Sequence, residues 1–409
     1  MFTRHFRSDT TGPSVATMTE VERDGWAAGP GVALAGAAGL VASMGVGRFA
    51  FTPFLPLMEA DNAITASGGA AVATANYAGY LAGAVALSIR PTINTRGHLR
   101  MWAVALVASE ALMAVADGVV VLSVLRFVAG VASAVIFVGC VSTVAHARRH
   151  GASSAVTFAG VGAGIAISGV LTLVAGPHLS WQQLWIGAAI ITALALAPIS
   201  TMRIHPEPDS VSAGDAAILD RTHHSAWRLL LAAYFLEGLG YIVIGTFLVA
   251  AVSGNSGSAT SSAGPVVWIV VGLTAVPAGV IWTRVSSRIG AHRALGVALV
   301  VQAVAALLPA VSSSTAAALV AAALFGGTFI GIVSVAMSVG AALPVARTAA
   351  ILTAVYGVGQ VLGPVVVTPV LGSSYTLAFV IATVVLLLAA LAAFGVARTM
   401  PRRRELVGV

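Results

Sequence analysis

A chain of 409 residues that is 58% hydrophobic and only 9% charged has too little polar surface to cover a water-facing globule, which would carry about 25% charged residues. Its net charge of +7 rests on 21 basic residues, all of them Arg. They stand singly or in short clusters between apolar runs, which excludes a nucleic-acid-binding face. With a mean hydropathy of +0.97, the chain belongs in lipid.

Residues 1–28 mix Arg4, Arg7 and Arg23 with Asp9, Glu20, Glu22 and Asp24 and contain no apolar core. That is the pattern of a solvated cytoplasmic tail and not of a cleavable signal. From residue 30 onward, apolar runs near the ~20 residues that cross ~30 Å of hydrocarbon recur to the end. They predict twelve helices at 30–57, 67–89, 100–117, 118–145, 152–176, 181–202, 227–252, 264–285, 291–311, 315–342, 347–371 and 375–397. Only Asp117 and Gly118 separate the third from the fourth. The widest interruption, 203–226, holds Pro206, Pro208 and charges of both signs. We read it as a cytoplasmic linker between a six-helix half at 29–202 and a second at 227–397, followed by a cytoplasmic tail at 398–409.

Arginine placement tests the helix count. With the N-terminus inside, one side receives Arg90, Arg96, Arg100, Arg148, Arg149, Arg203, Arg221, Arg228, Arg284, Arg288, Arg293, Arg347, Arg398, Arg402, Arg403 and Arg404. The breaks on the other side carry Glu59, Asp61 and Asp117, or the neutral stretch 253–264. An incorrect count would scatter Arg on both sides, so the pattern predicts twelve spans with both termini cytoplasmic.

The halves share local sequence. Gly45, Gly47 and Arg48 in the first helix correspond to Gly238, Gly240 and Tyr241 in the seventh, and Phe54-Leu55 to Phe247-Leu248 at the same displacement. Gly160 and Gly162 in the fifth match Gly357 and Gly359 in the eleventh at a similar one. A six-plus-six duplication is the reading of an alternating-access carrier, with substrate bound between the halves near the midplane.

Several stretches carry a resemblance. Residues 45–53 read GVGRFAFTP, 75–83 ANYAGYLAG, 126–130 RFVAG, 238–242 GLGYI and 359–364 GQVLGP. They resemble the major facilitator superfamily over essentially the whole chain after residue 28, and more narrowly its YbfB/YjiJ-like group. The region Ser88 to Arg100 lacks the acidic residue of the family's cytoplasmic signature, and Ser287 stands where its counterpart in the second half has Asp. The resemblance implies an all-α membrane protein of twelve transmembrane helices in two pseudo-symmetric halves, with the first and fourth helices lining the cavity.

Four charged residues stand out deep within the apolar runs, away from the helix ends, where a charge is costly unless paired or solvated. Arg48 and Arg126 lie roughly 12–13 Å in from the external ends of their helices at ~1.5 Å per residue. Converging there, two guanidinium forks would bind a carboxylate or phosphate of the substrate. The alternative is that each satisfies helix carbonyls or pairs with Glu110, and this suits Arg126 better. Glu237, near the midplane where burial disfavours its charged form, has the proton-exchanging character that a coupling residue needs; a structural hydrogen bond to Tyr241 or a neighbouring helix is the alternative. Glu110, on a helix that is peripheral in the resembling fold, is read as structural. Asn76, Tyr77, Tyr241, Tyr356 and Gln360 are polar residues on cavity-side helices, suited to substrate binding or to interhelical hydrogen bonds.

Other motifs are structural. Gly160, Gly162 and Gly164 follow no strand, so they are not a dinucleotide loop. The pairs Gly79/Gly83 and Gly359/Gly363 have the spacing for close helix contact, with a hinge at Pro364. His146 and His150 flank Arg148 and Arg149, which disfavours a metal. Cys140 alone can close no intrachain disulfide, and a chain without Lys has no phosphate-binding loop of the Gly-Lys type.

The expected function is secondary active transport of a small organic solute, an anionic one if the two arginines converge, across the bacterial inner membrane. It would be proton-coupled and carried out by a monomer, with no cofactor, metal, nucleic acid or enzymatic activity. An uncoupled facilitator or exchanger is the alternative. A membrane enzyme or receptor is disfavoured, since His/Asp clusters near an interface and an appended soluble domain are both missing.

Overall fold

In hydrocarbon, each backbone polar group has to find its partner within its own segment or a closed barrel. The computed structural model describes residues 29–202, 221–255, 261–343, 345, 348–371 and 375–399, and among these the regular structure is helical throughout. The tail 1–28, residues 203–220 of the expected linker, Arg347 and residues 400–409 lie outside the described residues.

Among the described residues twelve long helices, numbered as spans, follow one another. The first is Pro30–Ala60, interrupted midway; then come Ala66–Ile89, Arg96–Met113, Val119–Ala147, Ser154–Ala175 and Trp181–Leu196. After the linker come Arg221–Asn255, Ala263–Ile289, Ala291–Val311, Thr315–Ala341, Thr348–Leu371 and Tyr375–Thr399. Eleven of them are long and apolar enough to cross a bilayer; the remaining one, span three, carries Arg96, Arg100 and Glu110.

Span three differs from its expected limits of 100–117. It starts earlier because Thr95 caps its first turn, its side chain accepting from the His98 N–H. It stops at Met113, and the chain then turns through Gly118 at φ +78°, a left-handed geometry suited to glycine. Span seven begins at Arg221, so residues 221–226 are helical. Span six gives way at Ala197 to a short 3₁₀ turn.

Small residues let the helices approach. A Cβ on Gly79 would strike the Phe127 carbonyl, and one on Gly130 the Asn76 carbonyl, so spans two and four touch backbone to backbone. In the first half, Gly160 and Gly164 of span five lie against Ala37, Val41 and Gly45 of span one. In the second, Gly359 and Gly363 of span eleven lie against Phe235, Leu239 and Ile242 of span seven. The repeat is therefore present in packing: Gly164 lies against Gly45 as Gly359 lies against Gly238, the sequence-matched counterpart of Gly45, so Gly359 takes the place of Gly164.

Spans one to six pack together, as do seven to twelve. The halves meet where span five crosses eight, two meets eleven and the end of one meets seven. Thr52 donates to the Gly245 carbonyl at 2.7 Å. These are repeat-equivalent positions, so their contact marks the pseudo-two-fold axis. In its apolar 18-residue stretch span seven has 89% of its residues buried and span six 33%, which makes seven central and six peripheral. Val120, Leu194 and Leu391 are among the apolar side chains left exposed on the outside, where acyl chains accept them.

Because consecutive spans run antiparallel, Arg90, Arg100, Arg148, Arg149, Arg284, Arg288, Arg293 and Arg398 collect at one end of the bundle. The start of span eleven lies there too, beside the end of span two.

Candidate functional site

The site is organised by the break in span one. Val41–Val46 forms a π-helical turn, in which the Gly47 N–H bonds back to Ala42 O at 2.7 Å. Pro53 has no N–H to offer. The Thr52 N–H goes to Phe49 O at 3.2 Å instead of continuing the α pattern to Arg48. The carbonyls of Gly47 and Arg48 are thus left without α-helical donors.

Arg126, from span four, supplies both. Its Nη1 donates to Gly47 O and its Nη2 to Arg48 O, each at 2.8 Å. The guanidinium also lies 5.7 Å from the Phe51 ring centroid and 5.4 Å from that of Trp185, and the Arg126 carbonyl accepts from Asn76 Nδ2 at 2.9 Å. Arg126 and Asn76 therefore brace the break and do not line the central cavity.

Arg48, displayed by the same break, does line it. The cavity has a volume of about 250 Å³ and lies between the halves. Arg48 is 3% exposed. Its Nη2 donates to Gln360 Oε1 at 2.8 Å, and its guanidinium lies 4.4 Å from the Tyr80 ring centroid and 5.0 Å from that of Tyr77. Its Nε–H has no acceptor. Among the described residues no carboxylate forms an ion pair with it. Gln360 Nε2 in turn donates to the Tyr241 hydroxyl, giving a chain from Arg48 through Gln360 to Tyr241 across the two halves.

Of the expected binding residues, Arg48, Tyr241, Tyr356 and Gln360 line the cavity. Tyr77 lies behind Arg48, its hydroxyl 2.8 Å from Thr246 Oγ1. Glu237 is fully buried outside the lining, with Gln302 of span nine as its polar neighbour. Neither its carboxyl oxygens nor the Gln302 amide closes a hydrogen bond. Glu110 is also fully enclosed and lies beside Thr192, with Arg126 near enough to act on it electrostatically. Both its oxygens lack a hydrogen bond, so no direct pair with Arg126 forms.

Sequence reasoning missed the aromatic lining: Phe49, Tyr80, Phe137, Phe158, Tyr234 and Phe329. One signal was available. Tyr234 and Tyr241 stand seven apart on a helix, hence on one face, with Gly238 between them letting Tyr356 approach. Of the six Tyr in the chain, four line the cavity and Tyr77 supports Arg48. The last, Tyr375, closes one end: its hydroxyl donates to the Glu59 carboxylate at 2.9 and 3.2 Å.

The cavity is closed at that end and extends towards the other. Besides the Glu59–Tyr375 bridge, the Thr52–Gly245 bond and the Phe247–Tyr375 ring contact, 5.8 Å between centroids, shut the end away from the Arg clusters. A second cavity of about 430 Å³ shares Thr353 with the first and reaches Ser88, Ile89 and Asn94 at the Arg-bearing end.

Comparison with known proteins gives the following. The profile of the family described as "Uncharacterised MFS-type transporter YbfB" matches residues 40–394. No curated protein matches the chain. Among solved structures, a crystal structure of a mutant of the nucleoside transporter NupG is similar with a TM-score of 0.69, at 11% identity over 91% of this chain and all of that one. At that identity the likeness concerns the fold.

Proposed function

The chain belongs to the YbfB-type family of major facilitator transporters, and from that premise we propose that it carries a small organic anion across the bacterial inner membrane by alternating access, driven by protons. The observation that carries the reading is Arg48. It is a buried guanidinium held by ring faces and one amide, with no carboxylate partner among the described residues and with an N–H left over. Cation–π contacts contribute about 0.5–2 kcal/mol each, enough to tolerate the charge but not to neutralise it. A carboxylate or phosphate on the substrate supplies the counter-charge, because a guanidinium fork binds such groups bidentately.

In this reading the Arg-bearing end of the bundle is cytoplasmic, as positive-inside placement favours, so the cavity faces inward in this conformation and both tails are cytoplasmic. The halves 29–202 and 227–397 rock about the axis marked by Thr52 and Gly245, joined by the linker, in a carrier that works as a monomer without a cofactor. Glu237 is the coupling residue: intramembrane carboxyls without a charged partner mark proton paths, and it lies on the helix that carries Tyr234 and Tyr241 into the cavity. A second reading is uncoupled exchange. It is favoured by the position of Glu237 outside the lining.

Uptake of anionic and cationic solutes into vesicles, wild type against Arg48→Ala, tests the proposal. Anion uptake that is lost in the variant is expected. Transport of cations alone, undiminished in Arg48→Ala, would overturn it.

A further inference from the structure

We propose that the anion carried is a flat aromatic one, a single or fused-ring carboxylate, whose ring lies against the tyrosine wall while its carboxylate reaches Arg48. The inference rests on the Arg48 reading and adds the shape of the rest of the molecule.

The cavity has two unlike walls. In the second half, Tyr356 lies between Tyr234 and Tyr241, at centroid distances of 4.6 and 5.4 Å and interplanar angles of 18° and 17°. Tyr241 continues to Phe329 at 6.3 Å and 14°. Spans seven, ten and eleven thus present a row of rings oriented alike. In the first half the rings meet edge to face: Tyr80 and Phe137 at 65°, Phe137 and Phe158 at 60°. Phe49 joins the walls, at 69° to Phe329. A planar ring entering this slot continues the parallel row on one side and receives ring edges from the other, the two arrangements that aromatic pairs prefer. Met44 and Met337 also line the cavity, beside the aliphatic Val141, Val161, Ile330 and Val333, and thioethers pack well on ring edges.

The polar groups narrow the choice further. Gln360 commits its oxygen to Arg48 and one N–H to Tyr241, which fixes the orientation of its amide. Tyr241 accepts from Gln360, which leaves its own O–H to donate. Two donors tied together by one amide suit the two oxygens of a carboxylate. A sugar, with a hydroxyl on nearly every carbon, would lose hydration here and regain few partners. A cation would meet Arg48. At about 250 Å³ the cavity is smaller than the ~300–1,000 Å³ of drug-sized pockets, which fits one or two rings.

The test uses the purified full-length protein and three probes of nearly equal size: benzoate, cyclohexanecarboxylate and benzamide. Ligand-induced shifts in melting temperature report binding to the folded state. Benzoate is expected to bind about fivefold or more tighter than cyclohexanecarboxylate, the ratio that ring stacking supplies, and benzamide weakly. The preference should narrow in Tyr356→Leu and in Phe329→Leu, two variants in case one fails to fold. Equal binding of benzoate and cyclohexanecarboxylate would overturn the aromatic proposal and leave the anion reading standing. Benzamide binding as tightly as benzoate would overturn the anion reading instead. If none of the three probes binds, the aromatic proposal is overturned.

Discussion

Replacing Arg126 by Lys keeps the charge and removes the fork. A lysine ammonium is a point donor and cannot span the carbonyls of Gly47 and Arg48, which Arg126 meets at 2.8 Å each. One buried carbonyl is left unsatisfied, at about 1–3 kcal/mol, and the contacts with Phe51 and Trp185 weaken. We expect the unfolding free energy of the purified protein, measured by SDS titration in mixed micelles, to fall by that amount. Because the carbonyl in question includes that of Arg48 itself, the substrate KM should also rise several-fold, although residue 126 does not line the cavity. A second substitution isolates the cause. Pro53→Ala restores a backbone N–H, allows span one to run as a regular helix, and lets Thr52 N–H reach Arg48 O. It should then reduce the cost of Arg126→Lys, with a coupling of about 0.5 kcal/mol or more in a double-mutant cycle. Equal stability of Arg126→Lys and wild type, or strict additivity with Pro53→Ala, would refute the account of the break.

Glu237→Gln is expected to abolish uptake driven by a pH gradient while counterflow exchange continues; full retention of the pH drive would assign Glu237 a structural role and favour the uncoupled reading. Tyr375→Phe removes the bond to Glu59, and a partly buried hydrogen bond to a carboxylate contributes about 1 kcal/mol or more. The closed end should open several-fold more often, read as faster labelling of Val249→Cys by an impermeant thiol reagent, and an unchanged rate would show that this bridge does not hold the end shut. In a Cys140→Ser background, His150→Cys and Ser287→Cys should react with that reagent only from the cytoplasmic side. Labelling from opposite faces would dismantle the topology.

The aromatic slot was the hardest part to see in the sequence. Phe137, Phe158 and Phe329 sit on three different spans, each in a run of apolar residues where a Phe has no distinguishing neighbour. Arg48 and Arg126 looked alike for the same reason: both are single Arg residues at similar depth in apolar helices. What separates them is the partner. Arg126 reaches carbonyls nearly eighty residues away in sequence, whereas Arg48 reaches rings and an amide. Glu237 was legible as an intramembrane carboxyl, but its place behind the tyrosines, beside Gln302, depends on how span nine packs.

The number of spans, the accumulation of Arg on alternate connections and the repeat of the two halves follow from the amino-acid sequence alone. Each depends on a property of one segment at a time: whether about 20 residues are apolar enough to enter lipid, and which charges flank them. The tertiary structure decided which arginine is spent on the backbone and which faces the cavity, and it made one cavity wall of scattered tyrosines and phenylalanines. Those outcomes depend on distances of a few ångströms between helices far apart in sequence, because hydrogen bonds and ring contacts act only at that range.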